Sequence, residues 1–281
     1  MKNKNKSKKN RLWKVIFVLL LIIVSIYYYP NFYKSTAKRI YRLFQRPRAA
    51  VGIIKWSNID QGIESCSVTV NNPDTRFGTE LFMLRVDPKF IETRVLYQKQ
   101  LSTAQDIARS NSAFATINGS FFDEQNRPLG LLIIDGDQIQ RMPTSGMRNS
   151  GIFCIKHDRP IIYHRDSYLS NNTIQAIQSM PRLIHRGRAI QKLRNKDERK
   201  RRSGIAIDSS GKIIIYITDT HLSGISFSDL QKFLLNPQLK IRSALNLDGG
   251  KSSQLYFKRF EHEKHIVGLT KVPVFLGFFK K

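Results

Sequence analysis

Acid is scarce in this sequence. Of 281 residues, 21 are Asp or Glu against 47 Lys or Arg, a formal net charge of +26 at pH 7. That shortage excludes a charge-balanced surface and selects polyanionic partners such as anionic lipid, nucleic acid or phosphate-bearing glycans. Cysteine is almost absent. The two that exist, Cys66 and Cys154, form no C-x-x-C pair, which argues against a zinc site. They leave two readings: one disulfide in a domain outside the cytosol, or two separate buried thiols. No internal repeat and no nucleic-acid-binding motif is present, so nucleic acid drops out of the partner list. Apolar residues make up 41% of the chain, enough for a packed core and too many for a disordered protein.

Charge is also missing from one continuous stretch, Val15 to Tyr29, which follows the lysine-rich tail 1–14. Extended back to Leu12 it reaches 18 residues, long enough to span a bilayer if Lys14 snorkels to the surface. Tyr27, Tyr28 and Tyr29 suit a membrane interface, and their bulk is wrong for a signal-peptidase site. The expectation is an uncleaved signal-anchor over 15–29, with the remainder outside the cytoplasmic membrane. Residues 30–50 alternate Lys and Arg with Ile40, Tyr41, Leu43 and Phe44 and read as a basic stalk against lipid headgroups or a solvated linker.

From 51 to 281 short apolar runs alternate with turn residues. Ser65–Val70, Glu80–Val86, Ala113–Ile117, Gly151–Ile155, Gly204–Ile207, Ile213–Ile217 and Val272–Phe279 read as strands. Helices are expected behind Ser102-Thr-Ala-Gln105, behind Asn172, and behind Ser226 or Ser228. Strands outnumber helices and do not alternate with them. The expected fold class is therefore α+β: a mixed, largely antiparallel sheet with a few short helices, one globular domain behind the anchor.

Two stretches share a design of apolar strand, polar residue, glycine and hydroxyl. One is Asn118-Gly-Ser-Phe-Phe-Asp123. The other is Asn246-Leu-Asp-Gly-Gly-Lys-Ser-Ser253, in which Leu245 and Leu247 deliver Asp248 to a double glycine. A carboxylate beside bare backbone, a cation and hydroxyls suits an anionic or sugar-like ligand; an Asp-Gly turn is the plainer alternative.

These two stretches, with Pro128–Gly136, Arg202–Asp208 and Ile217-Thr-Asp219, resemble the phosphodiester glycosidase family, also called the DUF2233 domain. The resemblance covers about residues 51–281 and points to the bacterial branch labelled exopolysaccharide biosynthesis proteins. Departures are Ser120 in place of a second glycine, Ser203 in place of threonine, Met180 before Pro181, and Lys251 where small residues or proline are common. The resemblance implies hydrolysis of a sugar-1-phosphodiester in a glycopolymer or glycoconjugate. It implies Asp248 as base or nucleophile, with Asp123 and Glu64 as further catalytic candidates. Asn118, Gly119, Arg202, Ser203, Gly249, Gly250, Lys251, Ser252 and Ser253 are implied as substrate-binding residues, with Arg202 gripping the phosphate through its fork of donors. Each has a structural alternative: Asp123 as a loop cap, Glu64 as a surface acid, Arg202 as one solvated member of a basic run.

No metal ligands are expected. His262 and His265 lie in a charged stretch that reads as an exposed hairpin tip, and His221 reads as loop surface near Asp219. The cofactor is open. The partners expected are a phosphate-containing glycan and the membrane. The competing reading, from a different class, is a non-catalytic module that binds polyanions in exopolysaccharide assembly.

Overall fold

In the stretch 203–218 every strand side chain is apolar, small or neutral except one terminal aspartate, and in the computed structural model of the protein both strands of that hairpin are buried from end to end. Alternation along a strand sends neighbours to opposite faces, so a strand buried throughout must have a core on each side. The structure describes residues 52–71, 78–220 and 224–281, all within the unit Ala49–Lys281.

In chain order the strands are β1 (Ser57–Asp60), β2 (Ile63–Asn71), β3 (Gly78–Val86), β4 (Ile91–Ser102), β5 (Ala115–Asn118) and β6 (Leu132–Ile134). They continue as β7 (Asp137–Gln140), β8 (Gly151–Lys156), β9 (Arg159–His164), β10 (Thr173–Ser179), β11 (Arg182–His185) and β12 (Arg188–Ala189). The last are β13 (Ser203–Asp208), β14 (Ile213–Thr218), β15 (Ile241–Asn246), β16 (Leu255–Arg259), β17 (His262–Ile266) and β18 (Val272–Lys280). Among the described residues two α-helices complete the set, α1 (Ala104–Ser110) and α2 (Phe227–Leu234).

The strands form three sheets, in the orders β1-β2-β3-β14-β13-β15-β11-β12, β7-β6-β10-β8-β9 and β17-β16-β5-β18-β4. The fold is α+β, as expected. The mixed single sheet is corrected: among the described residues every pairing between strands is antiparallel, and the strands make three sheets. One core lies between them. It takes Ile205, Ile215, Ile217 and Leu245 from the first sheet, Phe153 and Ile177 from the second, and Ile117, Phe257 and Leu276 from the third. The opposite face of the first sheet, with Ala206, Ile214, Tyr216 and Ala244, is covered by Phe227, Leu230, Phe233 and Leu234 of α2. Helix α1 covers the back of the third sheet through Ala104, Ile107 and Ala108.

Both helices start on side-chain caps. Ser226 accepts the Asp229 N–H at 3.0 Å. In α1 the cap is Thr103, one residue later than expected; it accepts the Asp106 N–H at 3.1 Å and its hydroxyl bonds the Asp106 carboxylate at 2.8 Å. The helix expected behind Asn172 is strand β10. Its Ile174 and Ile177 sit at helical spacing by coincidence, and pairing with β8 and β6 decides the backbone. The buried Gln175 and Gln178 fit a strand because their amides receive the Val95 and Leu131 N–H groups at 2.9 and 2.8 Å.

The cysteines are two separate buried thiols. Cys66 lies on β2 in the core of the first sheet's outer face, and Cys154 lies in the second sheet, where burial pushes its thiol up to about 12.

The tail 1–14, the expected anchor 15–29 and the stalk 30–50 lie outside the described residues. Among the described residues no helix is long and apolar enough to cross a membrane. The signal-anchor expectation, with its membrane partner, is corrected accordingly: the described structure is the α+β domain with no spanning helix, and its site can be read without one.

Gly204 makes room for the Tyr216 ring, which lies across it and donates its hydroxyl to the Leu245 carbonyl at 3.2 Å. A methyl group there would collide with that ring and hydroxyl. Gly204→Ala is expected to cost about 1–3 kcal/mol in chemical denaturation. An unchanged midpoint would show that the ring moves aside freely.

Candidate active site

Strand β15 ends in Asn246, and Leu247 continues into the core as a fully buried side chain. This anchors the chain just before Asp248. The Leu247 N–H donates to the Ser203 carbonyl at 2.9 Å, and the Asp248 N–H donates to the Gly119 carbonyl at 2.9 Å. The Asp248 carbonyl accepts two side-chain bonds, from Asn118 Nδ2 at 2.6 Å and from Ser203 Oγ at 2.7 Å. The peptide is thus held from the first sheet by Ser203 and from the third by Asn118.

Glycine sets the path of the chain beyond Asp248. A Cβ at Gly249 would sit 3.0 Å from the Arg201 carbonyl, and Gly250 has a φ of +63° with its N–H on that same carbonyl at 2.8 Å. One 3-10 turn over Gly250–Ser252 then brings the Ser252 hydroxyl back to the Asp248 carboxylate. Gly119 is required by close approach, since a Cβ would lie 2.7 Å from Val274 and 2.8 Å from Ile177.

The carboxylate faces a cavity of about 740 Å³. The cavity is lined by Met180, Pro181, the loop Gly146–Asn149, Phe121, Phe227 and the segment around Glu198, Lys200 and Arg202. Burial pushes the Asp248 carboxyl up to about 6, against the opposing pull of the Ser252 hydroxyl and the Gly249 N–H. Burial also lowers Arg202, to about 10. Its guanidinium stacks 3.7 Å over the Phe227 ring, and Nε and Nη2 donate to the carbonyls of Ile225 and Glu198 at 3.3 and 2.9 Å. These bonds use the Nε hydrogen and one Nη2 hydrogen, so both Nη1 hydrogens and the second Nη2 hydrogen have no partner among the described residues.

The cavity mouth is cationic. Arg148 and Arg194 are exposed there, and among the described residues neither side chain has a hydrogen bond or ion pair. Lys200 pairs with Glu198 at 2.8 Å. These mouth residues, with the Phe121 and Phe227 walls, were not singled out in the sequence. The run Gln191–Arg202 carries no apolar period, and nothing in it marks which side chains turn inward.

The other sequence candidates divide. Ser203 and Asn118 are fully buried and hold Asp248; the Asn118 Oδ1 also accepts the Gln254 N–H at 3.1 Å. Asn118 therefore positions the acid, with its amide oxygen and one amide proton already used. Ser253 is fully buried and its hydroxyl has no partner among the described residues, while Lys251 is exposed and outside the cavity lining. Asp123 closes its own loop, accepting the Gln125 and Arg127 N–H groups at 2.9 Å each and pairing with the Arg127 side chain at 2.8 Å. Glu64 is gripped by Arg85 at 2.7 and 2.6 Å and by Lys212 at 3.3 Å. Neither lines the Asp248 cavity. Among the described residues no three His, Cys, Asp or Glu side chains are placed to hold a metal ion. His262 and His265 lie on β17, and His221 lies outside the described residues.

The family model described as "Phosphodiester glycosidase" matches residues 111–279, which include Asn118, Arg202 and Asp248. The chain belongs to the phosphodiester glycosidase family. Family membership is consistent with hydrolase activity. An Escherichia coli relative, the "Uncharacterized protein YigE", is 27% identical over 189 residues, spanning 62% of this chain and 72% of that protein. The fold is similar to the catalytic domain of zebrafish N-acetylglucosamine-1-phosphodiester alpha-N-acetylglucosaminidase, with a TM-score of 0.63 and 17% identity over 83% of this chain and 89% of that one. It is also similar to a hypothetical protein from Synechocystis, with a TM-score of 0.59 and 18% identity over 82% of this chain. The match spans 64% of the Synechocystis protein's length.

The raised Asp248 carboxyl has a consequence for stability. The folded protein holds that proton more tightly than the unfolded chain does. The stability this contributes is complete below the ordinary value of 3.8 and is lost as pH rises through about 6. Asp248→Asn removes the ionisation. The variant is expected to melt higher than the parent above pH 6, with the gap closing below pH 4. A gap independent of pH would show that the carboxyl is not desolvated.

Proposed function

We propose that this protein hydrolyses a glycosyl phosphodiester, splitting the bond between the sugar's anomeric carbon and the phosphate oxygen. The observation that carries this reading is a desolvated, firmly tethered carboxylate, Asp248, facing a cavity whose mouth bears unpaired Arg148 and Arg194. Water adds to the anomeric carbon and the phosphate departs as a monoester. That leaving group is already a stable anion, so it needs little from a general acid. Ordinary glycosidases place two carboxylates about the bond; here one carboxylate and a cationic mouth suffice. Asp248 acts in its ionised form, as base toward the water or as nucleophile at carbon. Glu198 brings a second carboxylate to the mouth, held to Lys200.

The substrate class is a phosphate-bearing glycan or glycoconjugate. The family match and the named activity of the zebrafish protein support it. Asn118, Ser203 and Ser252 serve by positioning Asp248, and the free Nη1 of Arg202 with Arg148 and Arg194 serves the phosphate. Asp123 and Glu64 have no part in the reaction. A non-catalytic polyanion binder would have no use for a carboxylate buried at the cost of its own ionisation.

The test is to offer the full chain a panel of sugar-1-phosphate diesters and detect the released sugar. Asp248→Asn is expected to lose at least about a hundredfold in turnover, and activity of the parent should rise with pH through about 6. Arg194→Gln is expected to raise KM with kcat nearly unchanged, and the effect should shrink as salt increases. Full hydrolysis by a folded Asp248→Asn protein would move the chemistry away from this cavity.

A further inference from the structure

A second cavity, also about 740 Å³, lies at the other end of the strands that carry Asp248. It opens at the start of β15, near Ser243, about 16 Å back along the strand from Asp248 at the usual rise per residue. Strand β9 brings His164 to it, β11 brings Arg182 and His185, the turn after β11 brings Arg186, β15 brings Arg242, and β13 ends in it at Asp208. The lining thus gathers three arginines and two histidines with one aspartate, and the Asp166 carboxylate stands beside His164. The Asp208 carboxylate is engaged: its Oδ1 accepts the Ser210 N–H at 2.8 Å, the Ser210 hydroxyl at 2.7 Å and the Lys212 N–H at 3.0 Å.

Arg182 is the telling residue. Its guanidinium is half-buried, and among the described residues it has no hydrogen bond and no ion pair. Burial lowers its pKa, with no anion offsetting the cost. The neighbouring strand makes space for its stem. A Cβ at Gly151 would meet the Arg182 Cγ at 2.6 Å, so only glycine leaves the slot this arginine fills. Arg186 and Arg242 likewise have no side-chain partner among the described residues. His185 is pushed below its ordinary range by burial first and then by Arg182, Arg186 and His164. His164 Nδ1 accepts the Asp166 N–H at 3.2 Å and lies 3.4 Å from the Asp166 carboxylate, which leaves Nε2 unused. Ile161, Ile162 and Tyr163 supply an apolar wall beside the charges.

We propose that this second cavity is a binding site for a phosphate-bearing ligand, with Arg182 as its half-buried anchor and Arg186, Arg242 and His185 closing on the anion. A dianion meets several forked donors better than a single carboxylate does. The volume leaves room for the organic body of the ligand against Tyr163. A concave pocket, in contrast to a charged stripe, suits one phosphate group with its attached body. The site stands independently of the glycosidase reading.

The full chain is titrated with inorganic phosphate at constant ionic strength, following the ring resonances of His185 and His164 by NMR. Saturable shifts are expected, with the His185 midpoint rising because a bound anion favours its cationic form. Arg242 is exposed, so Arg242→Gln should fold normally and weaken binding about tenfold, the loss of one charge-assisted contact. Arg182→Gln should lose binding further, and Asp248→Asn should leave it unchanged. Ring resonances that do not respond to phosphate, or equal affinity in Arg242→Gln, would overturn the proposal. So would binding that vanishes in Asp248→Asn and survives in Arg242→Gln, since the phosphate would then sit in the first cavity.

Discussion

The arrangement depends on one peptide carbonyl, that of Asp248. A loop carbonyl inside a protein must find donors or destabilise the fold by about 1–3 kcal/mol. This one finds two, from Asn118 on the third sheet and Ser203 on the first. Because those donors belong to different sheets, the Asp248 peptide ties the sheets together where the cavity opens. The geometry of the acid and the packing of the sheets are therefore one problem. Anything that shifts β5 against β13 moves the carboxylate.

The same economy explains the hydroxyls and glycines around it. Ser203 and Ser252 act on opposite ends of one residue, the first on its carbonyl and the second on its carboxylate. Gly119 and Gly249 allow backbone to pass where a Cβ would press on Val274, Ile177 or the Arg201 carbonyl. The departures from the family pattern fit this arrangement. Ser203 keeps the hydroxyl that the clamp needs, and Lys251 is exposed outside the cavity lining, where its identity is little constrained.

Excess positive charge is distributed with a purpose in at least two places. At the first cavity Arg202 bonds Ile225 and Glu198 and stacks on the Phe227 ring, while Arg148 and Arg194 have no side-chain partner among the described residues. At the second, Arg182 is half-buried and has no side-chain partner among the described residues. Net charge alone selects a class of partner; the two cavities are where guanidinium groups without a partner among the described residues gather.

Sequence by itself determined the α+β class, the strand-rich order, the strands about 204–207 and 213–217 and the two glycine-bearing stretches. Those features are local: period-two alternation, turn chemistry and a double glycine are readable within ten residues. Tertiary structure decided the rest. It made Thr173–Ser179 a strand because β8 and β6 pair with it and buried backbone N–H groups meet its glutamine amides. It gave Asp123 to its own loop and Glu64 to Arg85, since a carboxylate's role follows from which donors reach it. It brought Asn118 to the Asp248 carbonyl and the Gln254 N–H, contacts made across more than a hundred residues of chain. It also brought the basic run 191–202 to the cavity, because the groups that fix its arginines, the Asp229 carboxylate and the carbonyls of Ile225 and Val267, lie elsewhere in the chain.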